Sequence, residues 1–172
     1  MRLRVAAASA VSVKIIVDQN LGPQVSQLLE VHLSELALES PAESMHALAI
    51  DELRDELITV WSAWGGDEMT GRSMGIGALK ELSATHGEIK SMRTAAEFQR
   101  CGVATGLLEQ IMTTARQRKY KQLSLETGVV PSFKPAHTLY TRFGFKHCAP
   151  FADYKEDPHS LFMTCRLCDS IA

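Results

Sequence analysis

The sequence predicts one α/β domain of the α+β kind, built on a mixed and mostly antiparallel sheet. Three consecutive strand-like segments with short connections favour an antiparallel meander. A strand, a long amphipathic helix and a second strand then follow one another, which is the pattern of a crossover with two parallel strands. The length of 172 residues suits one compact domain. We expect residues 1–10 to be disordered and the single domain to occupy residues 11–172.

The first half of the chain predicts one helix followed by a run of strands. β-branched residues over 11–17 predict a strand, and Pro23 suits the first turn of a helix whose apolar residues recur at helical spacing through Glu39. A short helix is expected near 49–54. Three strands follow, at 57–64, 72–82 and 86–94.

The second half begins with a long helix, predicted from Gly102 to Lys119. A strand at 122–127 follows this helix, so it should lie parallel to the strand that precedes the helix. Pro135 opens a last helix, which Gly144 stops, and two strands near 145–149 and 160–167 complete the sheet. The long helix buries one face, formed by Val103, Leu107, Leu108, Ile111, Met112 and Ala115.

Composition narrows the class of protein. Hydrophobic residues make up 45% and charged residues 22%, so a packed core is expected. The 18 basic and 20 acidic residues give a net charge of −2, which opposes nucleic-acid binding. No apolar run approaches the roughly 20 residues that span a bilayer, so no membrane partner is expected. Four cysteines are too few for a disulfide framework, which favours a cytoplasmic protein.

The loop before the long helix reads Gln-Arg-Cys-Gly-Val-Ala over 99–104. The helix starts without an acidic cap, so its first backbone N–H groups lack partners within the helix. Gly102 lets the backbone approach a ligand closely, and the helix dipole favours a bound anion by about 1 kcal/mol. The loop therefore suits a phosphate group, although by itself it also fits an ordinary helix entry.

Further motifs favour the interpretation of this loop as a phosphate-binding site. Thr94, Gln99-x-x-Gly102-x-Ala104 and Ala136-x-x-Leu139-Tyr140-x-x-x-Gly144-Phe145 occur in this order. Together they resemble the GNAT family of N-acetyltransferases. The resemblance implies a GNAT-like sheet with helices on both faces, in which the parallel strand pair is splayed to hold acetyl-CoA.

The resemblance also implies where acetyl-CoA, the cosubstrate, would bind, and it implies no metal. The pantetheine arm would pair with the backbone of Met92, Arg93 and Thr94, and the Met92 N–H would polarise the thioester carbonyl. Phe133 stands where many members have asparagine, and its ring either packs or covers part of the cofactor. The pyrophosphate would meet the residues that open the helix, namely Gln99, Arg100, Cys101, Gly102, Val103, Ala104 and Thr105.

Acyl transfer to an amine needs a neutral nucleophile, yet an alkylamine has a pKa of about 10.4. Glu88 is our first candidate for the base, because some members carry a glutamate at the matching position. A regular strand would also place Glu88, Lys90, Met92 and Thr94 on one face. An alternative interpretation is a surface carboxylate paired with Lys90 or Lys80.

Two other residues could act as the base. His86 has the same strand parity as Glu88, and Glu126 on the neighbouring parallel strand is a reserve candidate or a structural partner. Tyr140 matches the tyrosine that protonates the leaving thiolate in the family, so we expect it to be the general acid. The alternative interpretation is that Tyr140 is a tyrosine of the hydrophobic core.

The resemblance does not specify the acceptor, which could be a small-molecule amine or a protein amine. Dimers are common in the family, so a homodimer is possible by analogy. The acceptor pocket should come from the N-terminal half, where the polar or aromatic candidates are His32, Glu35, Ser40, Ser44, His46 and Trp64.

Two rival interpretations remain open at this point. The fold could serve as a non-catalytic acyl-CoA sensor or interaction module, because a fold alone does not establish turnover. A zinc site is the second, because cysteine and histidine are the usual ligands of that metal. Its possible ligands are Cys165 and Cys168, with His147, Cys148 and His159 nearby.

Overall fold

The structure is a computed structural model, and it describes residues 13–39, 41, 44, 46–66 and 71–167. The N-terminal segment 1–10, expected to be disordered, lies outside these residues, as does the start of the first predicted strand. Within the described ranges, no helix is both long enough and apolar enough to cross a bilayer.

Seven strands and three α-helices are present in the described residues, and their positions follow the predicted order. The strands are β1 (Val13–Val17), β2 (Ile58–Gly65), β3 (Arg72–Ser83), β4 (His86–Thr94), β5 (Gln122–Gly128), β6 (Lys146–His147) and β7 (Ser160–Arg166). The helices are α1 (Pro23–Glu39), α2 (Val103–Gln117) and α3 (Lys134–Arg142). The short helix expected near 49–54 is a single 3₁₀ turn, Glu52–Arg54.

The strands form one mixed sheet in the order β1-β2-β3-β4-β5-β7-β6. The pairs among β1 to β4 are antiparallel, as are β5 with β7 and β7 with β6. β4 and β5 are parallel, since α2 returns the chain to the same end of the sheet. The predicted meander and crossover unit are therefore both confirmed.

Helices cover both faces of this sheet, as predicted. On one face, α2 buries its whole predicted apolar stripe against β3 and β4. Together with Tyr140 of α3 and buried residues of the sheet, such as Ile89, this stripe forms what we call the α2 cluster. On the other face, α1 packs Val25 and Leu29 against Ile76 and Ala78 of β3, and we call this second group of buried residues the α1 cluster. The site described below lies between these two layers.

A β-bulge interrupts β4 at Ser91. Ala78 pairs with Lys90 and Ile76 pairs with Arg93, so two residues of β4 oppose Gly77 alone. Ser91 adopts a positive φ of 52°, a conformation uncommon for residues other than glycine. The extra residue shifts the alternation of side chains along the rest of the strand.

As a result, Met92 and Glu88 lie on opposite faces, and the prediction that they share a face is wrong. The Met92 sulfur lies on the α2 face, where a Cβ added to Gly77 would be only 2.6 Å from it. Ile89 also belongs to the α2 cluster, which leaves Glu88 and Lys90 on the α1 face. Side chains alternate between the two faces of a sheet only along a regular strand, so the alternation cannot be extended past a bulge.

Candidate active site

β4 and β5 separate in the middle of the sheet. Their parallel pairing runs from His86 with Gln122 to Ile89 with Leu125 and stops there. Beyond that point, Lys90–Met92 of β4 and Glu126–Gly128 of β5 line a cavity of about 110 Å³, which we call the gap. The splayed strand pair expected from the sequence is therefore present.

Side chains from both faces of the sheet line the gap. His32 and Leu36 reach it from α1 on one face, and Ala136 and Tyr140 reach it from α3 on the other. A small group held between the two strands would therefore be accessible from both layers. This arrangement suits a reaction in which two substrates approach the same atom from different sides.

Tyr140 is buried in the wall of the gap, with 6% of its surface exposed. Burial raises the pKa of its phenol above the usual value of 10.0, so the hydroxyl remains protonated at neutral pH. The ring also packs against Phe145, with the centroids 5.7 Å apart. Tyr140 is thus both a core side chain and a potential proton donor, which combines the two predicted interpretations.

Phe133 also lines the gap. Its ring lies directly on the β5 backbone, where a Cβ added to Gly128 would be 2.5 Å from it. Of the two alternatives raised for Phe133, packing is confirmed, because its ring lies on β5 and forms part of the cavity wall. That the ring covers part of the cofactor stays a prediction. An asparagine here would offer a hydrogen bond, whereas this ring offers only apolar contact.

Among the residues that the structure describes, Glu126 of β5 is the acidic one that lines the gap. Its Oε1 accepts a hydrogen bond of 2.7 Å from the Ser160 hydroxyl. Burial is the main cause that raises the pKa of this carboxyl, while the hydrogen bond and the charge of Lys90 oppose the shift. A carboxylate with a raised pKa is a stronger base, so Glu126 has the chemistry of a proton acceptor.

A larger cavity of about 500 Å³ opens next to the gap. His46 and Lys90 line both spaces, so the two share a wall. The remaining lining residues of the larger cavity come from the segment between α1 and β2, from β3 and β4, and from the segment before β7: they are Leu48, Lys80, Leu82, Glu88 and residues 152–157.

Glu88 lies in the wall of this larger cavity and is only 2% exposed. Its Oε1 accepts a hydrogen bond of 2.5 Å from the Tyr154 hydroxyl and lies 3.2 Å from the Lys90 ammonium nitrogen. The interpretation of Glu88 as a surface carboxylate is wrong because the side chain is buried. Its expected pairing with Lys90 does occur, whereas the described residues show no ion pair between Glu88 and Lys80.

Sequence reasoning missed Tyr154. It lies in the irregular segment between β6 and β7, where it packs against Phe151 and Phe162. Burial and the neighbouring Glu88 carboxylate raise the pKa of its phenol. The available signal was two aromatic residues, Phe151 and Tyr154, within an otherwise polar stretch, because such residues mark a loop that packs on the protein.

His86, the second candidate for the base, lines neither of these two cavities. Its Nε2 lies 2.8 Å from the Ser124 hydroxyl, and its ring packs beside Phe151. Burial lowers the pKa of the imidazole. The contacts describe a neutral histidine at the parallel pairing of β4 and β5.

The predicted acceptor residues are distributed unequally. His32, Ser44 and His46 line the gap, and burial followed by the charge of Arg93 lowers the pKa of His32 to about 4. Glu35 forms an ion pair of 2.6 Å with Arg93 beside this wall. Trp64 is buried in the α1 cluster and lines neither cavity, and Ser40 lies outside the described residues.

The loop predicted to hold the pyrophosphate lies outside both cavities, with residues 99–102 exposed. Gly102 caps α2 with φ of +83°, and no side chain caps the helix there. The Gly106 N–H donates the first hydrogen bond of this turn, 2.9 Å to the Gly102 carbonyl. The N–H groups of residues 102–105 precede that bond and are available to an anion.

The zinc hypothesis gains no support from the part of the chain that the structure describes. There, no cluster of three or more His, Cys, Asp or Glu residues is placed to hold a metal ion. Cys165 is buried in the α2 cluster, with its sulfur 3.7 Å from the Phe143 carbonyl oxygen. Cys168 lies outside the described residues.

The sequence matches the model of the Acetyltransferase (GNAT) family over residues 25–145. It is 54% identical over 151 residues to the uncharacterized N-acetyltransferase YsnE of Bacillus subtilis, covering 88% of this chain and 97% of that protein. It is also 45% identical over 153 residues to the uncharacterized N-acetyltransferase YedL of Escherichia coli, covering 89% and 94% respectively.

Solved structures share the fold. One, from Klebsiella pneumoniae and described by name as an acyl-CoA N-acyltransferase, superposes with a TM-score of 0.72 at 23% identity, covering 91% of this chain and 99% of that one. Another, a GNAT family acetyltransferase from Elizabethkingia anophelis solved with acetyl-CoA bound, gives 0.63 at 20% identity, with coverage of 90% and 98%.

Proposed function

The chain belongs to the GNAT family of acetyltransferases, and from that premise we propose that it moves an acetyl group from acetyl-CoA to a primary amine by direct attack in a ternary complex. The gap between β4 and β5 is the observation that carries this proposal, because it reaches both faces of the sheet beside Tyr140. A thioester in the gap would be next to the larger cavity, since His46 and Lys90 line both.

The donor would bind along β4 and the start of α2. Backbone groups of Met92, Arg93 and Thr94 would pair with the pantetheine arm, and the Met92 N–H would donate to the thioester carbonyl oxygen as negative charge develops there. The Phe133 ring would cover the arm by apolar contact. The pyrophosphate would be bound by the loop and first turn of α2, made of Gln99, Arg100, Cys101, Gly102, Val103, Ala104 and Thr105.

The acceptor, a small amine or a protein amine, would enter through the larger cavity. Glu88 would take a proton from the acceptor ammonium, and the neutral nitrogen would then attack the carbonyl carbon of the thioester. A new C–N bond forms and the C–S bond breaks. Tyr140 would give its hydroxyl proton to the departing thiolate and would regain a proton from the attacking nitrogen, which carries one more than the amide product retains. The proton held by Glu88 then passes to solvent, so that acetylated amine and CoA leave with both groups restored.

Glu126 is a second candidate for the base. Unlike Glu88, it lines the gap together with Tyr140, and burial raises its pKa. A base positioned there could act on an acceptor already inside the gap. Glu88 would therefore act on an acceptor nitrogen in the larger cavity, and Glu126 would act on one that has entered the gap. Separate substitutions, Glu88→Gln and Glu126→Gln, distinguish the two positions.

A screen of amines for CoA release, with each product identified by mass, tests the proposed function. We expect transfer to at least one primary amine, with kcat reduced roughly 10²-fold or more in Glu88→Gln and roughly ten-fold or more in Tyr140→Phe. Full activity in Glu126→Gln would support Glu88, and the reverse pattern would transfer the role to Glu126.

Binding is measured separately from turnover, by calorimetry with acetyl-CoA on the same protein preparations. Glu88→Gln and Tyr140→Phe should bind acetyl-CoA as the unaltered protein does, because neither change touches the backbone groups assigned to the cofactor. Acetyl-CoA binding with no amine acetylated would favour the alternative of an acyl-CoA sensor. Unchanged transfer in both Glu88→Gln and Tyr140→Phe would reject the catalytic assignments.

A further inference from the structure

We propose that Tyr154 is a positioning residue for Glu88, fixing one carboxylate oxygen so that the other faces the acceptor amine. This inference rests on the proposed role of Glu88 as the base. Tyr154 lies in the segment between β6 and β7, 66 positions from Glu88 in sequence, and it contacts the carboxylate rather than the reacting atoms.

Three polar groups form a closed triangle in the wall of the larger cavity. The Tyr154 hydroxyl donates to Glu88 Oε1 over 2.5 Å and accepts from the Lys90 ammonium over 2.7 Å. The Lys90 nitrogen lies 3.2 Å from the same Glu88 oxygen, and these two charged side chains are only 8% and 3% exposed. A buried ion pair needs such additional hydrogen bonds to offset its desolvation.

The position of the phenol is fixed by its own neighbours. Its ring packs against Phe151 and Phe162, with centroids 5.0 and 5.4 Å away, and against the edge of His46 at 4.9 Å. The Lys90 ammonium is held in turn by the His46 carbonyl oxygen, 2.9 Å away. Because both partners of Glu88 are anchored, its carboxylate has little freedom to rotate.

The two oxygens of Glu88 are therefore not equivalent. In the described part of the chain, the two partners of this carboxylate, Tyr154 and Lys90, both bind Oε1. Oε2 remains as the oxygen that can accept a proton from an ammonium group entering the cavity. Without the phenol, the carboxylate would lose one of its two restraints and the donor that stabilises its ionised form.

Other charges also face this triangle and belong to its electrostatic balance. Glu126 and Glu88 both act on the Tyr154 phenol, while Lys90 and His46 act on Glu126. Lys80 lines the same cavity from β3. Removing only the phenolic oxygen leaves all of these charges in place, so a change seen in Tyr154→Phe reports the hydrogen bond itself.

Tyr154→Phe keeps the ring and removes the donor. With the most active amine from the screen, we expect kcat to fall roughly ten-fold and the acidic limb of the profile of kcat/KM against pH to move up by about one pH unit. The limb should move in this direction because loss of a hydrogen bond to the ionised carboxylate favours its protonation. The KM for acetyl-CoA should stay within two-fold, roughly, as the phenol is not assigned to the cofactor.

Tyr120→Phe is the matched control. Tyr120 donates to Glu81 Oε2 over 2.6 Å, so the same kind of hydrogen bond is lost, but neither residue lines the gap or the larger cavity. We expect this variant to lose stability without moving the acidic limb. Equal limb shifts in both variants would overturn the proposal, as would an unmoved limb in Tyr154→Phe.

A titration that does not depend on turnover separates this proposal from the proposed function. The ¹³C signal of the Glu88 carboxyl, assigned by its loss in Glu88→Gln, should titrate at a higher pH in Tyr154→Phe than in the unaltered protein. An unmoved midpoint would reject the role of Tyr154 even if transfer occurs. A moved midpoint with full activity in Glu88→Gln would instead reject Glu88 as the base and, with it, the catalytic meaning of the contact.

Discussion

At the residue scale, His32 shows how burial sets the chemistry of the gap. It projects from α1 into the gap, where burial and the charge of Arg93 lower its pKa from 6.5 to about 4, while Glu35 acts in the opposite direction. The imidazole is therefore neutral at physiological pH. A neutral ring is compatible with an incoming amine, whereas a cation would repel an ammonium group.

This depressed pKa links His32 to folding stability. The unfolded chain binds a proton near pH 6.5 but the folded chain does so only near pH 4, so the free energy of unfolding should fall as pH drops through that window. The contribution is fully present above pH 6.5 and amounts to about 3 kcal/mol at most. His32→Gln should remove it, giving a shallower pH dependence in urea unfolding between pH 7 and pH 4.

His159→Gln serves as the control for this measurement. His159 is exposed in the turn before β7 and lines neither cavity. Its variant should follow the pH dependence of the unaltered protein. If His32→Gln and the unaltered protein lose stability in parallel from pH 7 to pH 4, the link between His32 burial and stability is wrong.

At the element scale, the entry to α2 depends on one backbone conformation. Gly102 has φ of +83°, a region that costs other residues about 1–2 kcal/mol. A Cβ added there would meet no heavy atom within 4 Å, so any strain is in the backbone rather than in a clash. The first turn of α2, where the proposal places the pyrophosphate, begins at the residue after Gly102.

Gly102→Ala should therefore weaken cofactor binding. We expect the KM for acetyl-CoA to rise roughly three- to ten-fold, because relief of the strained φ would turn the N–H groups away from the pyrophosphate. Stability should fall by about 1 kcal/mol. Steady-state kinetics at saturating amine and thermal unfolding measure the two effects.

Gly66→Ala separates strain from cofactor binding. Gly66 has a similar φ of +88° just after β2 and also has room for a Cβ, whose nearest neighbour would be 3.5 Å away. It should lose comparable stability with no change in the KM for acetyl-CoA. Equal increases of KM in both variants would show that general destabilisation, rather than the α2 entry, is responsible.

Sequence periodicity predicted most elements because each has a local cause. The apolar stripe of α2 and the span of β4 agree with the structure. The bulge at Ser91 could not be predicted in the same way, because serine is not typical of a positive φ and the irregularity arises where β4 leaves β5. That single extra residue reverses the orientation of Met92 relative to Glu88.

The site was predictable only where short motifs carry it. Tyr140 and the α2 entry were proposed because short motifs around them resemble those of the family, and Tyr140 does line the gap. Tyr154 was not, because its segment has neither helical nor strand periodicity and its contact with Glu88 spans 66 positions. Long-range contacts of irregular segments depend on the packing of the whole chain, in this case on the aromatic side chains of Phe151 and Phe162.

At the scale of the whole molecule, the sheet consists of two parts joined by a short seam. β1 to β4 form one part, and β5, β7 and β6 form the other. The pairing that joins them covers only His86–Ile89 with Gln122–Leu125, and the gap follows immediately. A cofactor that pairs with β4 beyond Ile89 would supply backbone hydrogen bonds where β5 no longer does.

Acetyl-CoA should therefore stabilise the fold and protect specific amides. At a concentration of 100 times Kd, binding adds about 2.7 kcal/mol, which corresponds to a rise in Tm of about 5–10 °C for a chain of this size. Hydrogen exchange should slow at residues 90–94 and 102–105. Adenosine 3′,5′-bisphosphate, which lacks the pantetheine arm and carries only one of the bridging phosphates, should leave residues 90–94 unprotected. Protection of 90–94 by both ligands, or by neither, would show that β4 does not bind the arm.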